Sequence, residues 1–537
     1  MIRQKIIDLI KKAISAANLG SHEVQIEHPE DNAHGDYSTS IALKLAKTLK
    51  MPPMKIAENL QPRILRLGSD LFEKIEIMEP GFMNFFISPA YLQNQVREIL
   101  DKKEGFGEIK IGKKQKINIE FISANPTGQL HLGHGRSAFA GDSLANVFEK
   151  AGFQVTREYF INDAKNSKQI MEFGKTALGQ GTTYLNDYVK SKIPAFAKAS
   201  AGKENLTENE AGYLLAQEVQ KDTKEFLENK LKIRFDEWVS EEEEIYRKNK
   251  IKKIIDWLKK NNLVYEKDKA WWLKTSQFGD EKDWVVIRET GEPTYLLSDV
   301  AYHKDKFDRG FNKVIDIWGA DHQAHVSKMK AVAKMLGFKG VLDILVLQLI
   351  TLRGGEKMSK RLGNIIALQD LISEIGLDVA RWFYLQKSLD THTEIDLELA
   401  KEQSEKNPVF YVQYAHARIC NILAKAPRYK ISPYGRYLEG RQDTRYKTLN
   451  HPSELNLIKQ LIMFSEIVED TANDYQIQRL PQYATNLASA FHKFYGDCRI
   501  ISEDKNLTQA RLSLVLAAKI VLENTLSLMG ISAPEKM

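Results

Sequence analysis

Two short stretches of this chain hold the residue types from which phosphate chemistry is built. The first is Asn125-Pro126-Thr127-Gly128-Gln129-Leu130-His131-Leu132-Gly133-His134. It follows the apolar run Ile117-Asn118-Ile119-Glu120-Phe121-Ile122, which reads as a buried strand, and it precedes Ser137 to Ala151, which reads as a helix. His131 and His134 therefore sit where a parallel strand hands over to a helix N-terminus, the place where a doubly wound sheet binds phosphates. Gly133 lets a ligand come close to the backbone, and the helix dipole with its free N–H groups favours an anion there. Two turn histidines that merely cap the helix would give the same pattern. A zinc helix is not expected, because His-Leu-Gly-His lacks the i,i+4 pair and no third ligand follows. The second stretch is Lys357-Met358-Ser359-Lys360, after an apolar strand candidate and the turn Arg353-Gly354-Gly355. Two lysines on a glycine-hinged loop can close over a polyphosphate leaving group as its charge develops; a lysine-rich surface turn is the plain alternative. Taken together, the loops point to attack on the α-phosphate of a nucleoside triphosphate. That chemistry needs positioned cations and donors and no protein nucleophile.

Positioning these loops requires a parallel sheet. Between residues 115 and about 395, strand candidates at 116–122, 155–161, 284–288, 314–318 and 344–352 alternate with helices such as Ser137–Ala151 and His322–Leu336. The alternation predicts strands joined by crossover helices. A helical, highly charged stretch at about 165–280, with Val219–Leu231 and Glu241–Asn262 as its helices, reads as an insertion, and Pro194–Asn209 as a loop within it. Residues 1–110 read as a separate α+β unit with helices Ile6–Ala17, Ser38–Leu49 and Met54–Leu65 and strands Val24–Glu27, Ile75–Met78 and Phe82–Ile87. Asp101–Lys114 reads as a linker. Residues 396–537 read as an all-α bundle of helices Leu397–Leu423, Glu454–Asn473, Leu480–Ile501 and Thr508–Met529, with 427–452 as an exposed connection. The fold class expected is α/β: a Rossmann-like parallel-sheet domain at 111–395 between these two units.

At 537 residues the chain is too long for one core, and 43% hydrophobic with 28% charged residues is an ordinary globular composition. Apolar runs such as Ile344 to Ile350 are strand-sized and too short to cross a bilayer. The first ten residues are amphipathic, carry Asp8 and lack a small-residue cleavage site, so no signal peptide is expected. Cys420 and Cys498 are isolated, which excludes a cysteine-rich zinc site and fits a reducing cytoplasm. Residues 401–450 carry ten Lys and Arg against four acids, a local excess equal to the whole-chain net charge of +6. A basic, aromatic-bearing segment beside a nucleotide domain suits a polyanionic partner, and a solvated helix face accounts for it equally well.

His131-Leu132-Gly133-His134 with Lys357-Met358-Ser359-Lys360 resembles the paired signatures of class I aminoacyl-tRNA synthetases. More specifically, the chain is similar over essentially its whole length to bacterial-type arginyl-tRNA synthetases. The resemblance is carried in order by Gly35-Asp36-Tyr37, Gly81-Phe82-Met83-Asn84-Phe85, Glu120 to Asn125, Tyr159 to Ala164, Thr294 to His303, Asn407 to Arg418, and Gly530 to Met537. It implies that arginine and ATP form arginyl-adenylate and pyrophosphate, with transfer to the terminal adenosine of tRNA(Arg) through its 2′-hydroxyl. It further implies magnesium-bound ATP, a tRNA requirement even for the first step, no structural metal, and a cytoplasmic protein, expected to be monomeric. His131, His134, Lys357 and Lys360 are the implied catalytic residues, and Gly133, Gly319, Asp321, Met358 and Ser359 the further ATP contacts. For arginine it implies Glu120, Ser123, Asn125, Tyr295, Asp299 and Gln323. A guanidinium needs acidic, preferably bidentate partners, although by themselves Glu120 reads as an exposed strand-end carboxylate and Asp299 as a helix N-cap before Val300. The implied tRNA contacts are Asp36 and Tyr37 in the first unit, and Tyr411, Tyr414, Arg418 and Met537 in the last. A nucleotidyltransferase that never meets tRNA would not need residues 400–537, and a non-catalytic RNA-binding relative would not need its histidines and lysines. The cysteinyl enzyme is disfavoured by the missing zinc cysteines.

Overall fold

The computed structural model describes the chain except residues 203–204, 354–365, 427–445 and 447, and the side chain of Asn32. Its centre is a five-stranded, fully parallel sheet in the order Val341–Leu347, Lys313–Gly319, Lys116–Glu120, Gln154–Ile161, Glu237–Ser240. The central strand Lys116–Glu120 is covered on both faces, and Ile117, Asn118 and Ile119 are all fully buried, as expected for a parallel sheet sandwiched by helices. From it the chain enters the helix Leu132–Lys150 and builds outward to Glu237–Ser240, then returns on the other side as Lys313–Gly319 and Val341–Leu347. The order thus reverses between Lys116–Glu120 and Lys313–Gly319. The crevice beyond the carboxyl ends of such a pair is where doubly wound sheets bind ligands.

Several elements differ from the sequence reading. The strand Trp284–Ile287 is not in the parallel sheet; it pairs antiparallel with Ala270–Leu273, which pairs with Val264–Lys267. Asp268 and Lys269, both at positive φ (53° and 59°), close this two-residue hairpin without a glycine. The fifth strand of the main sheet is instead Glu237–Ser240, inside the stretch read as a helical insertion. Around it lie helices Lys168–Ala177, Asp187–Ala199, Glu208–Glu225 and Lys250–Lys260. The first of these helices meets the third at paired glycines: a Cβ on Gly174 would fall 1.7 Å from the Glu208 carbonyl oxygen, and one on Gly212 1.9 Å from that of Ile170. Asp187–Ala199 runs through Pro194, so Pro194–Asn209 is helix at its start rather than loop. The run 344–352 divides: Val341–Leu347 stays in the sheet, while Ile350–Arg353 pairs with Thr393–Asp396. In the first unit, Tyr37–Thr39 is a strand on Phe82–Ile87, ahead of the helix Ile41–Leu49, and Glu27 makes only a single bridge to Ser38.

The last unit contains Pro408–Ala424, Pro452–Ile462, Phe464–Asp474, Arg479–Asp497 and Lys505–Leu528. The helix expected at Leu397–Leu423 is broken before Pro408, where Asn407 caps the new helix by accepting from the Val409 N–H at 3.1 Å. One apolar core runs unbroken from the N-terminal helix Ile2–Ala16 through the main sheet into this bundle. The first and last units are also joined by polar groups around Glu466, whose side chain is 2% exposed. It accepts from the Arg3 N–H (3.1 Å), the Tyr37 hydroxyl (2.9 Å) and His28 Nε2 (2.9 Å). Lys459 pairs with Asp36 at 2.6 Å.

Candidate active site

Leu132–Lys150 begins at the crevice, and its first turn is capped by the two histidines themselves. His131 Nδ1 accepts from the Gly133 N–H at 3.1 Å, and His134 Nδ1 accepts from the His131 N–H at 3.0 Å. Capping and phosphate binding are therefore not alternatives here, because the cap fixes the tautomer. An Nδ1 that accepts carries no proton, so the neutral ring must hold its hydrogen on Nε2. Burial lowers the pKa of His131; burial and then the neighbouring His131 push His134 down to about 3. Both rings are neutral at neutral pH and lie against one another, centroids 3.8 Å apart. Among the described residues neither Nε2–H has a protein partner, so both remain available to a ligand at the helix N-terminus.

Lys357, Met358, Ser359 and Lys360 lie outside the described residues. The residues on either side of that stretch do not. Arg353 ends the strand Ile350–Arg353. Ala367 forms a bridge to His131, the Ile366 carbonyl accepts from the Leu132 N–H at 3.0 Å, and the Leu368 N–H donates to Leu130 at 2.8 Å. Residues 366–368 are thus hydrogen-bonded to the histidine segment. The Arg136 guanidinium fastens the same helix to the far side of the cleft by donating to the carbonyls of Gln348, Leu349, Ser388 and Thr391. The Tyr384 hydroxyl donates to the Leu132 carbonyl at 2.7 Å.

The central strand leaves the sheet in a strained conformation. Ile122 and Ser123 have φ of 70° and 42°, a region a β-branched residue rarely adopts. The surroundings hold it there: Ser137 Oγ accepts from the Ile122 N–H (2.8 Å), Ser123 Oγ accepts from the Phe160 N–H (3.1 Å), and Asn162 donates to the Ser123 carbonyl (3.1 Å). Such strain persists where the surrounding structure over-determines it, commonly at functional sites.

The acids divide into two groups. Glu120, read as a partner of the guanidinium, is not an exposed strand-end carboxylate. It is buried, and its oxygens accept from Ser123 Oγ (2.9 Å), the Tyr302 hydroxyl (2.8 Å) and Lys306 Nζ (2.5 Å). Its charge is already met by a fully buried lysine, which also reaches Asp316 at 2.9 Å. Asp299 is not an N-cap either, since its helix Tyr295–Asp308 starts four residues earlier. Burial pushes its carboxyl up to about 6. Beside it lies Glu241, a residue the sequence reading missed. Burial pushes Glu241 up to about 7, against the Ser298 hydroxyl that donates to it at 2.5 Å, and the charge of Asp299 raises it further. Buried Asp163 is raised as well, by burial first. Among the described residues none of these three carboxylates forms an ion pair. A buried cluster of unmatched negative charge is costly unless a cation completes it.

Tyr295, 60% exposed, stands at the head of that helix, and Asn125 is exposed on the loop before His131. Gly319, Asp321 and Gln323 are exposed on the carboxyl end of Lys313–Gly319 and the short turn Ala320–His325 that follows. The histidine caps, Asn125, Ser123, Asp299 and this turn therefore gather around the reversal point of the sheet. The residues read as tRNA contacts are elsewhere. Tyr37 is only 3% exposed and holds Glu466, and Asp36 is paired with Lys459, so both side chains serve the junction between the first and last units. Tyr414 is exposed, and Arg418 donates to its hydroxyl at 2.6 Å while lying over the rings of Tyr414 and Tyr495. Tyr411 packs on His492 in the same patch, and Met537 is exposed beside Phe410 and Gln413.

Three family models match the chain in order. They are the arginyl tRNA synthetase N terminal domain over residues 4–87, the class I (R) tRNA synthetase catalytic domain over 95–172 and 190–421, and the DALR anticodon binding domain over 412–537. The chain is 41% identical to the arginine–tRNA ligase of Bacillus subtilis, with all of both chains covered. It is 42% identical to that of Listeria welshimeri, covering 99% of this chain and 98% of that one. Its fold matches the Thermus thermophilus arginyl-tRNA synthetase with a TM-score of 0.77 at 21% identity, over the full length of both chains. Fold, site and full-length similarity agree, and the chain belongs to the arginyl-tRNA synthetases, the class I arginine–tRNA ligases.

Proposed function

We propose that the ligation of arginine to tRNA by this chain runs in the crevice between Lys116–Glu120 and Lys313–Gly319, with the following division of labour. His131 and His134 donate Nε2–H to the α-phosphate of ATP as attack by the arginine carboxylate makes phosphorus five-coordinate; as neutral rings they orient and stabilise, and neither transfers a proton. ATP enters as its magnesium complex, over Gly133 and the turn bearing Gly319 and Asp321. Lys357 and Lys360, with Met358 and Ser359 between them, close over the departing pyrophosphate; the hydrogen bonding of residues 366–368 to the histidine segment supports this. Asp299 and Glu241 receive the guanidinium, with Tyr295 and Gln323 along its stem and Ser123 and Asn125 at the amino-acid backbone. Glu120 acts from behind, setting Ser123. The observation that carries this reading is the pair of buried Glu241 and half-buried Asp299, neither in an ion pair among the described residues, whose raised carboxyls are complementary to a planar, permanently charged guanidinium.

The units 1–110 and 396–537 carry the tRNA, the latter through Tyr411, Tyr414, Arg418 and Met537, on either side of the catalytic unit 111–395. The exposed aromatic faces under Arg418 suit unpaired bases. The closure of all three units on one another supports action as a monomer, and the unpaired Cys420 and Cys498 support the cytoplasm. The test is ATP–pyrophosphate exchange with each amino acid, with and without tRNA. Exchange specific to arginine and dependent on tRNA is expected; exchange with another amino acid overturns the reading.

A further inference from the structure

His303 is buried (4% exposed) directly behind the acidic pocket. Its Nε2 lies 3.0 Å from Asp316 Oδ2 and its Nδ1 2.8 Å from the backbone carbonyl of Asp299. A carbonyl oxygen can only accept. Asp316 can only accept as well, because its other oxygen takes Lys306 Nζ at 2.9 Å and that pairing holds its carboxyl ionised. Both ring nitrogens must therefore donate, which only the imidazolium can do. The charges around the ring agree. On the strands beneath it lie Glu120, Glu158 and Asp316; against them stand Lys306 and Arg309 from the ring's own helix, joined to Glu120, Asp316 and Glu158. Three carboxylates and two permanent cations leave one negative charge, which a protonated His303 cancels. Asp299 adds its charge from the preceding turn, and the rings of Tyr302 and Phe307 close the remaining sides. Burial lowers the pKa of His303, yet the hydrogen bond to Asp316 and that carboxylate's charge outweigh it and the net direction is upward.

We propose that His303 is a positioning residue, held as an imidazolium by Asp316, whose Nδ1–H fixes the backbone at Asp299 and so aims that carboxylate at the guanidinium of arginine. Loss of the proton removes one of the two contacts, because a neutral ring can donate to only one of its acceptors. Arginine affinity then falls while ATP affinity does not. Removing either His303 or Asp316 acts on the same link, so the two changes are not additive.

The proposal rests on the assignment of Asp299 to the guanidinium, and the experiment separates the two. The full chain is labelled with ¹⁵N-histidine, and the His303 resonances are those missing from His303→Gln. Two other rings, His28 and His416, also face a carbonyl and a carboxylate, so subtraction of the variant is needed. Both His303 nitrogens are expected to stay protonated above the ordinary imidazole range, and one of them to be unprotonated in Asp316→Asn. A neutral His303 at about pH 7 overturns the proposal. In exchange assays His303→Gln and Asp316→Asn should each raise KM for arginine roughly tenfold with KM for ATP unchanged, as for loss of a charge-assisted hydrogen bond. The ratio of variant to parent KM, which cancels titration of the substrate's own amino group, should fall toward one as the parent loses its proton at alkaline pH. A pH-independent ratio marks a purely structural residue and refutes the proposal. Should either variant fail to fold, the other and the ring nitrogens of the parent, followed across pH, still decide. An Asp299→Asn variant with unchanged KM for arginine overturns the assignment of Asp299 and leaves the protonation of His303 to be judged by the nitrogen signals alone.

Discussion

Replacing Glu241 by glutamine should make the empty protein more stable and the arginine site worse. In the empty site Glu241 is pushed up to about 7 and Asp299 to about 6. A bound guanidinium favours the ionised form of both, so binding displaces whatever protons they hold. At about pH 6 Glu241 is protonated some tenfold over its ionised form and Asp299 is half protonated; between about pH 8 and pH 6 arginine affinity should fall roughly twentyfold, with about 1.4 protons released per arginine at the lower pH. In Glu241→Gln only Asp299 titrates, and the fall should shrink to about twofold with roughly 0.5 proton released. Calorimetry of arginine binding in buffers of different ionisation enthalpy counts these protons directly. The stability change has the opposite sign. A carboxyl whose folded pKa is raised from the ordinary 4.5 to about 7 binds its proton more tightly when folded. The folded state is therefore favoured at low pH and loses up to about 3 kcal/mol as pH rises through 7. Glutamine removes that loss, so thermal unfolding at about pH 8 should move upward in the variant while its arginine affinity falls at least tenfold. An affinity for arginine that is flat from pH 6 to 8 in the parent, or a variant that keeps the parent's proton count, refutes this reasoning.

Further outcomes follow from the geometry. His131→Asn keeps an acceptor for the Gly133 N–H but lacks the Nε2–H, so single-turnover adenylate formation should drop by roughly 10²-fold with arginine binding little changed; an unchanged rate refutes the role given to that hydrogen. Gly212→Ala puts a Cβ 1.9 Å from the Ile170 carbonyl oxygen and should cost about 2–4 kcal/mol in urea unfolding as two helices are forced apart; a loss under about 1 kcal/mol would mean the helices slide freely. Glu466→Ala leaves Arg3, Tyr37 and His28 without their shared acceptor, and should destabilise the junction by about 3–5 kcal/mol, seen as early proteolytic release of the first unit.

The histidine junction was readable because it combines a buried strand, a helix start and two rings within a few residues, all local features. The antiparallel sheet that takes up Trp284–Ile287 was not, since the hairpin that joins its other two strands turns on Asp268 and Lys269 at positive φ, where glycine or asparagine would have signalled it. Glu237–Ser240 is only four residues long and runs into Glu241, Glu242, Glu243 and Glu244. That run looks like a solvated helix face, yet its first two members are buried. The strand's Trp238 and Val239, two β-favouring residues just ahead of the run, were the only local hint that it begins at a strand's carboxyl end. The place of Tyr37 at the junction was illegible for another reason: its partner Glu466 is 429 positions away, and no periodicity records so distant a contact.

That distance has a consequence for how the chain is made. Arg3 meets Glu466 across 463 positions, so the first unit leaves the ribosome long before the helix that covers it. At roughly 5–20 residues per second, the interval is on the order of 25–90 seconds. Throughout it Arg3, His28, Asp36 and Tyr37 face solvent, the last two on a surface the finished protein hides. Their polar character suits a face that must stay soluble while it waits, and the same groups then become the clasp that closes the two ends of the chain.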